Sequence, residues 1–175
     1  MTSMYGHEHA TFSCGDENRL FNLTDSFVQI RGITVSQGKT VGGGGGISVA
    51  TTKVRGYNLP NLHMLESQIS GCESTASGGG LYVEGNDAYV SFTSCNVKNN
   101  KASSRGGGVY MNGGRIDMDS VSSISANHAN GDGGGVFLDN AAFLNGGEVR
   151  NNVAQNTGGN IIVENNARLE NVKIL

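Results

Sequence analysis

One proline in 175 residues, no tryptophan and a charged fraction of 15% leave several classes of protein out of reach. Glycine supplies 28 residues, but without a strict three-residue period or a matching proline content the chain is no collagen. The formal net charge of −3 offers no basic patch for a phosphate backbone, which excludes nucleic acid as a partner. No apolar run approaches the roughly 18 residues of a membrane span. Residues 1–19 also lack the apolar stretch of about 7–15 residues that marks a signal peptide. Three cysteines, Cys14, Cys72 and Cys95, are an odd number, so the expectation is reduced, partly buried thiols; one pair plus a free thiol is the alternative.

What the chain does have is a repeat. GGGI at 44–47, GGGL at 78–81, GGGV at 106–109, GGGV at 133–136 and a degenerate GGNI at 158–161 begin 34, 28, 27 and 25 residues apart. Periods of about 20–50 residues signal a solenoid, in which each unit buries its apolar face against its neighbours. After every cluster comes strict alternation: Ile47-Ser48-Val49, Leu81-Tyr82-Val83, Val109-Tyr110-Met111, Val136-Phe137-Leu138 and Ile161-Ile162-Val163. A period of two sends the outer members inward and the middle one outward. Between the clusters, Val28-x-Ile30-x-x-Ile33-x-Val35 matches Val90-x-Phe92-x-x-Cys95-x-Val97 and Leu169-x-x-Val172-x-Ile174, which reads as two short strands with a bend between them.

Together these predict an all-β fold, a right-handed parallel β-helix of about six coils of 25–28 residues with three short strands per coil. The left-handed alternative lacks its hexapeptide period. A single domain covers residues 1–175, with 1–26 an irregular lead-in or partial first coil and 27–175 regular coils; a fragment of a longer chain fits equally well. The stretch Gly32 to Thr40 imitates a phosphate-binding loop, but five residues separate its glycines where four are needed and no helix follows. The glycines instead serve sharp turns into the next strand.

The repeats of a glycine-rich approach to a strand, Ser91-Phe92-Thr93-Ser94-Cys95 with its F-x-x-C, and Asn99-Asn100-Lys101-Ala102 with its N-N-x-A resemble those of chlamydial polymorphic outer-membrane proteins and related β-helical surface adhesins. The resemblance runs over roughly residues 28–165. It implies the pectate-lyase-like fold, an extracellular or cell-surface location, and adhesion. The family's GGAI is here GGGI, GGGL or GGGV, and Cys95 stands where the family has asparagine.

Candidate functional residues follow from the columns. Aligning the coils brings Asn100, Asn127 and Asn152 together, a structural asparagine ladder whose residues tolerate left-handed backbone angles and whose amides bond above and below. The outward column Ser48, Tyr82, Tyr110, Phe137, Ile162 lies beside the polar column Glu84, Asn112, Asp139, Glu164. Tyr82, Tyr110 and Phe137 are the expected anchors for a glycan or protein surface, with Glu84, Asn112 and Asp139 orienting it. Burying one aromatic side chain is worth about 4–6 kcal/mol at the usual area coefficient. That is no more than the lower part of an association cost of roughly 4–15 kcal/mol, so several anchors must act together. The alternative reading is that the residues 54–63 fold over the column.

Polysaccharide lyases, hydrolases and epimerases also use this fold. The carboxylates available for such chemistry are Glu84 with Asp139, about two coils or roughly 9.6 Å apart, and Asp117 with Asp119, read as sharing one strand face. No stacked lysine or arginine row accompanies them, so no catalytic residue is assigned. His7-Glu8-His9 with Cys14 supplies ligand types without a metal-binding spacing, and neither a metal nor a cofactor is assigned. The chain's last residues, Leu169 to Leu175, carry no capping pattern, which suggests end-to-end association through an uncapped final coil or a structural subunit stacked in a larger assembly.

Overall fold

A computed structural model describes residues 10–15, 18–52 and 61–175. Those residues hold strands and turns and no helix, and every strand pairing is parallel. Each coil runs through four sheets in turn, stacked as a β-solenoid of about six turns. The first sheet stacks Phe21–Thr24, Ile47–Ala50, Leu81–Glu84, Val109–Asn112, Val136–Asp139 and Ile161–Val163. The second stacks Val28–Arg31, Leu62–Leu65, Tyr89–Thr93, Arg115–Met118, Phe143–Asn145 and Arg168–Glu170. The third begins with Ala10–Ser13 and continues through Ile33–Ser36, Gln68–Ser70, Asn96–Lys98, Ser123–Ser125 and Glu148–Arg150 to Lys173–Ile174.

The fourth sheet is the departure from three strands per coil. It consists of two-residue strands, Lys39–Thr40, Glu73–Ser74, Lys101–Ala102, His128–Ala129 and Val153–Ala154. Two residues are too few to show an alternation, and the inward members are small, so no apolar periodicity announces them. Residues 10–13 and 21–24, within the lead-in, also form strands and make a partial first coil.

The interior columns follow the alternation. Phe21, Ile47, Leu81, Val109, Val136 and Ile161 occupy one register position, and Leu23, Val49, Val83, Met111, Leu138 and Val163 the next but one. The middle four of each column are buried completely. Gly32, Ser94 and Asn171 make the bend between second and third sheets, each with φ between 54° and 65°. The apolar pairs on either side of the bend, such as Val90 and Phe92 before Ser94 and Cys95 and Val97 after it, all point into the core.

The glycine clusters owe their composition to packing as much as to φ. A Cβ on Gly79 would lie 2.3 Å from the carbonyl oxygen of Gly107, and one on Gly107 2.4 Å from that of Gly134. Successive backbones touch there, and any side chain would force the coils apart.

Candidate functional site

The outward residues of the first sheet are in register as Asn22, Ser48, Tyr82, Tyr110, Phe137 and Ile162. Strands about 4.8 Å apart hold the three rings as a stack. Tyr82 and Tyr110 have centroids 5.3 Å apart with 13° between their planes, and Tyr110 and Phe137 5.7 Å with 18°. Stacked this way the rings spend their faces on each other. The outer face of Tyr82 is also approached by Gly43, where a Cβ would come within 2.4 Å of the ring. The tyrosines, half-buried, turn edges outward.

Phe137 differs from the expected anchor. It has no exposed surface, and the Arg105 guanidinium stands 4.7 Å above its centroid. Of the three rings only Tyr82 and Tyr110 reach the surface, with Phe137 as the buried end of the stack. Burial is the main cause of the raised pKa of both tyrosines, helped by the negative charge of Glu84 at Tyr82 and of Asp139 at Tyr110. The residues expected to fold over the column fall largely at 53–60, outside the described residues; Asn61, Leu62 and His63 instead lead into and begin a strand of the second sheet.

The polar column is in register as Glu84, Asn112 and Asp139. It opens onto a groove of about 820 Å³ at the turn between first and second sheets, lined by Glu84, Gly85, Asn86, Asn112, Gly114, Asn140, Ala141, Asn165 and Asn166. Asp139 accepts hydrogen bonds from the Asn140 backbone N–H at 2.8 Å and from the Asn165 amide, so its carboxylate holds this turn. The Asn112 carbonyl oxygen accepts from the Asn140 amide. Glu84 makes no ion pair among the described residues.

Asp117 and Asp119 do not form a pair. The strand ends at Met118. Asp117 accepts from Arg115 Nε at 2.7 Å and Asn145 Nδ2 at 3.1 Å, whereas Asp119 accepts from the Ser122 backbone at 2.9 Å, the Ser122 hydroxyl, and the Ser94 backbone at 3.0 Å. Burial acts to raise the Asp117 pKa, but hydrogen bonds from Arg115, Asn145 and Tyr89 outweigh it and hold the carboxyl below its ordinary value. A general acid needs the opposite shift. Between Glu84 and Asp139 stands Asn112, and Asp139 is already engaged.

The asparagine ladder is present, with one correction. Asn127 Oδ1 accepts from the backbone N–H of Asn100 at 2.9 Å and from its amide at 3.0 Å; Asn152 Oδ1 does the same for Asn127. Positive φ, however, belongs to the residue before each ladder position: Asn99, Ala126 and Asn151. The left-handed residue swings the chain so that the following side chain points inward. Cys72 donates its backbone N–H to Asn100 Oδ1 above, and Asn160 Oδ1 receives Asn152 below. All three cysteines are free thiols, and among the described residues no group of three histidine, cysteine or acidic side chains is placed to hold a metal. His7, Glu8 and His9 lie outside the described residues.

One outward column escapes the sequence reading. Tyr89, Arg115, Phe143 and Arg168 stack on the second sheet, with Arg115 5.0 Å and Arg168 4.5 Å from the Phe143 centroid. The signal is a small residue, a bulky one and an aliphatic one in Ala88-Tyr89-Val90, Gly114-Arg115-Ile116, Ala142-Phe143-Leu144 and Ala167-Arg168-Leu169. Alternating cation and ring hide it from a search for like residues. Comparison with known proteins finds no family model, no curated protein and no solved structure that matches this chain.

Proposed function

We propose that the protein is a non-catalytic, rigid scaffold that binds an extended, hydroxyl-rich chain such as a glycan along the groove between first and second sheets. The observation that carries this reading is the groove itself, which crosses four coils with Glu84, Asn112, Asn140 and Asn165 at successive levels. Side-chain amides donate and accept, and a carboxylate accepts, which suits the paired donor and acceptor character of sugar hydroxyls. Tyr82 and Tyr110 stand two residues before Glu84 and Asn112 on the same strands. The groove volume lies within the roughly 300–1,000 Å³ of ligand sites, and four coils give a ligand path of roughly 14 Å. The repeat resemblance to β-helical surface adhesins supports an adhesin-like role at an extracellular or cell surface.

A glycan array comparing wild type with Asn112→Ala and Tyr110→Ala tests this. Binding that is lost in Asn112→Ala places the ligand in the groove, and a smaller loss in Tyr110→Ala assigns the tyrosines to its border. Silence from the wild type turns the search to a protein partner. New reducing ends or unsaturated products from a bound polysaccharide would make the protein an enzyme and overturn the non-catalytic reading.

A further inference from the structure

The charges around the groove are arranged unlike those on the other sheets. On the second, third and fourth sheets and their bends, acids are matched by cations: Glu66 by Arg31, Glu73 by Lys39, Asp117 by Arg115, and Glu148 by both Arg150 and Lys173. Around the groove stand Glu84, Asp87, Asp139 and Glu164, and among the described residues none of them forms an ion pair. No lysine or arginine lines the groove.

Register brings these carboxylates together. Glu84, Asn112 and Asp139 occupy one position on successive coils, and Glu164 continues the column, since Val163 pairs with Leu138 just before it. Asp139 and Glu164 therefore set like charges on adjacent coils about 4.8 Å apart, which is unfavourable unless a cation lies between them. Asp87 follows the lining residue Asn86, and Glu84, Asp87 and Glu164 are all exposed. The tyrosine beside the column feels the combined charge. Burial is the main cause of the raised pKa of Tyr110, and Asp139, Glu84 and Glu164 raise it further against Arg105. Arg105 itself stands over the Phe137 ring.

This charge discriminates among sugars. A uronic or sulfated chain would be repelled, and a neutral one would leave the carboxylates unanswered. An ammonium group donates three hydrogen bonds, accepts none and carries the missing charge. We propose that the ligand of the groove is a chain of amino sugars with free amines, its ammonium groups seated by Glu84 and by Asp139 with Glu164. This rests on the groove reading above and adds to it the charge of the ligand.

Titration calorimetry with three soluble chains of equal length tests the proposal: a glucosamine oligomer with free amines, the same oligomer fully N-acetylated, and an oligogalacturonate. The free-amine chain should bind about tenfold more tightly than the acetylated one, the effect of roughly three partly exposed ion pairs, and the oligogalacturonate should not bind. The preference should shrink with added salt. It should vanish once the pH is high enough to neutralise the amines, a range in which the raised pKa of Tyr82 and Tyr110 keeps both hydroxyls protonated.

Glu84→Gln should reduce the preference several-fold. Glu170→Gln makes the same change of charge on the outward face of the second sheet, in the column of Asp117 and Asn145, and should leave the preference intact. Equal affinity for the free-amine and acetylated chains overturns the proposal and leaves the groove reading standing. So does an equal effect of the two substitutions, which would trace the preference to the overall negative charge, or binding of the oligogalacturonate. Absence of binding by all three chains removes the groove reading and this inference with it.

Discussion

At the residue scale the ladder asparagines carry more than their number suggests. Asn127 is buried and takes part in five hydrogen bonds that tie three coils together. Asn127→Ala leaves the Asn100 N–H without its acceptor, takes one of the two acceptors of the Asn100 amide, whose other is the Ile69 carbonyl, and removes the donor to the Val97 carbonyl, an unsatisfied buried group costing about 1–3 kcal/mol. We expect a total loss of roughly 3–5 kcal/mol, read as a lower urea midpoint. Ala126, beside it, sits at φ 54° where its counterparts are Asn99 and Asn151. An alanine there bears about 1–2 kcal/mol of strain that asparagine or glycine relieves. Ala126→Asn should therefore gain about 0.5–1 kcal/mol, seen as a higher Tm. Buried Cys72 has its thiol pushed up to about 11, chiefly by desolvation. A thiol neutral in the fold but ionised when unfolded above its usual value near 8.5 favours folding fully below that pH. This contribution is lost as pH rises through 11. A thiol reagent at neutral pH should label Cys14, which is half-buried, well before Cys72 or Cys95.

At the scale of the element, the turns decide what each sheet can present. Third-position glycines make room for the ladder: a Cβ on Gly108 would come within 2.7 Å of the Asn127 amide nitrogen and 2.8 Å of the Gly135 carbonyl oxygen. Gly108→Ala should cost about 1–3 kcal/mol, although the φ of Gly108 is negative and alanine would be acceptable there on backbone grounds alone. Calorimetry of this variant beside Gly71→Ala, which has open space but φ of 64°, separates packing from backbone strain. On the second sheet, the lowered pKa of Asp117 means that its bonds to Arg115, Asn145 and Tyr89 stabilise the fold fully above its ordinary value of about 3.9. That stability is lost as pH falls through the lowered folded value. Asp117→Asn should flatten the acid limb of a stability-against-pH curve below about pH 4.

For the whole molecule, each coil touches only its neighbours, so stability is close to a sum of coil and interface contributions. The central coils have a neighbour on both sides; Ala10–Ser13 and Lys173–Ile174 have one, and all their residues are exposed. Hydrogen exchange should be slowest for the backbone of Val109–Asn112 and Val136–Asp139 and fastest at these two ends.

The sequence by itself determined the parallel coil, its period and both interior columns, because each rests on a local alternation of apolar residues repeated five times. It also placed Asn100, Asn127 and Asn152 in one stack, since each lies six residues before the glycine cluster of its coil, at Gly106, Gly133 and Gly158. Tertiary structure decided what those positions could do. Outwardness along a strand did not amount to exposure for Phe137, which a side chain from the preceding coil covers. Spacing did not make a pair of Asp117 and Asp119, because the strand ends between them and each carboxylate finds different donors. The fourth sheet and the Tyr89–Arg115–Phe143–Arg168 column stayed hidden for a related reason. Their order arises from contacts between coils about 25–28 residues apart in sequence, and a chain read along its length shows only what neighbours in sequence share.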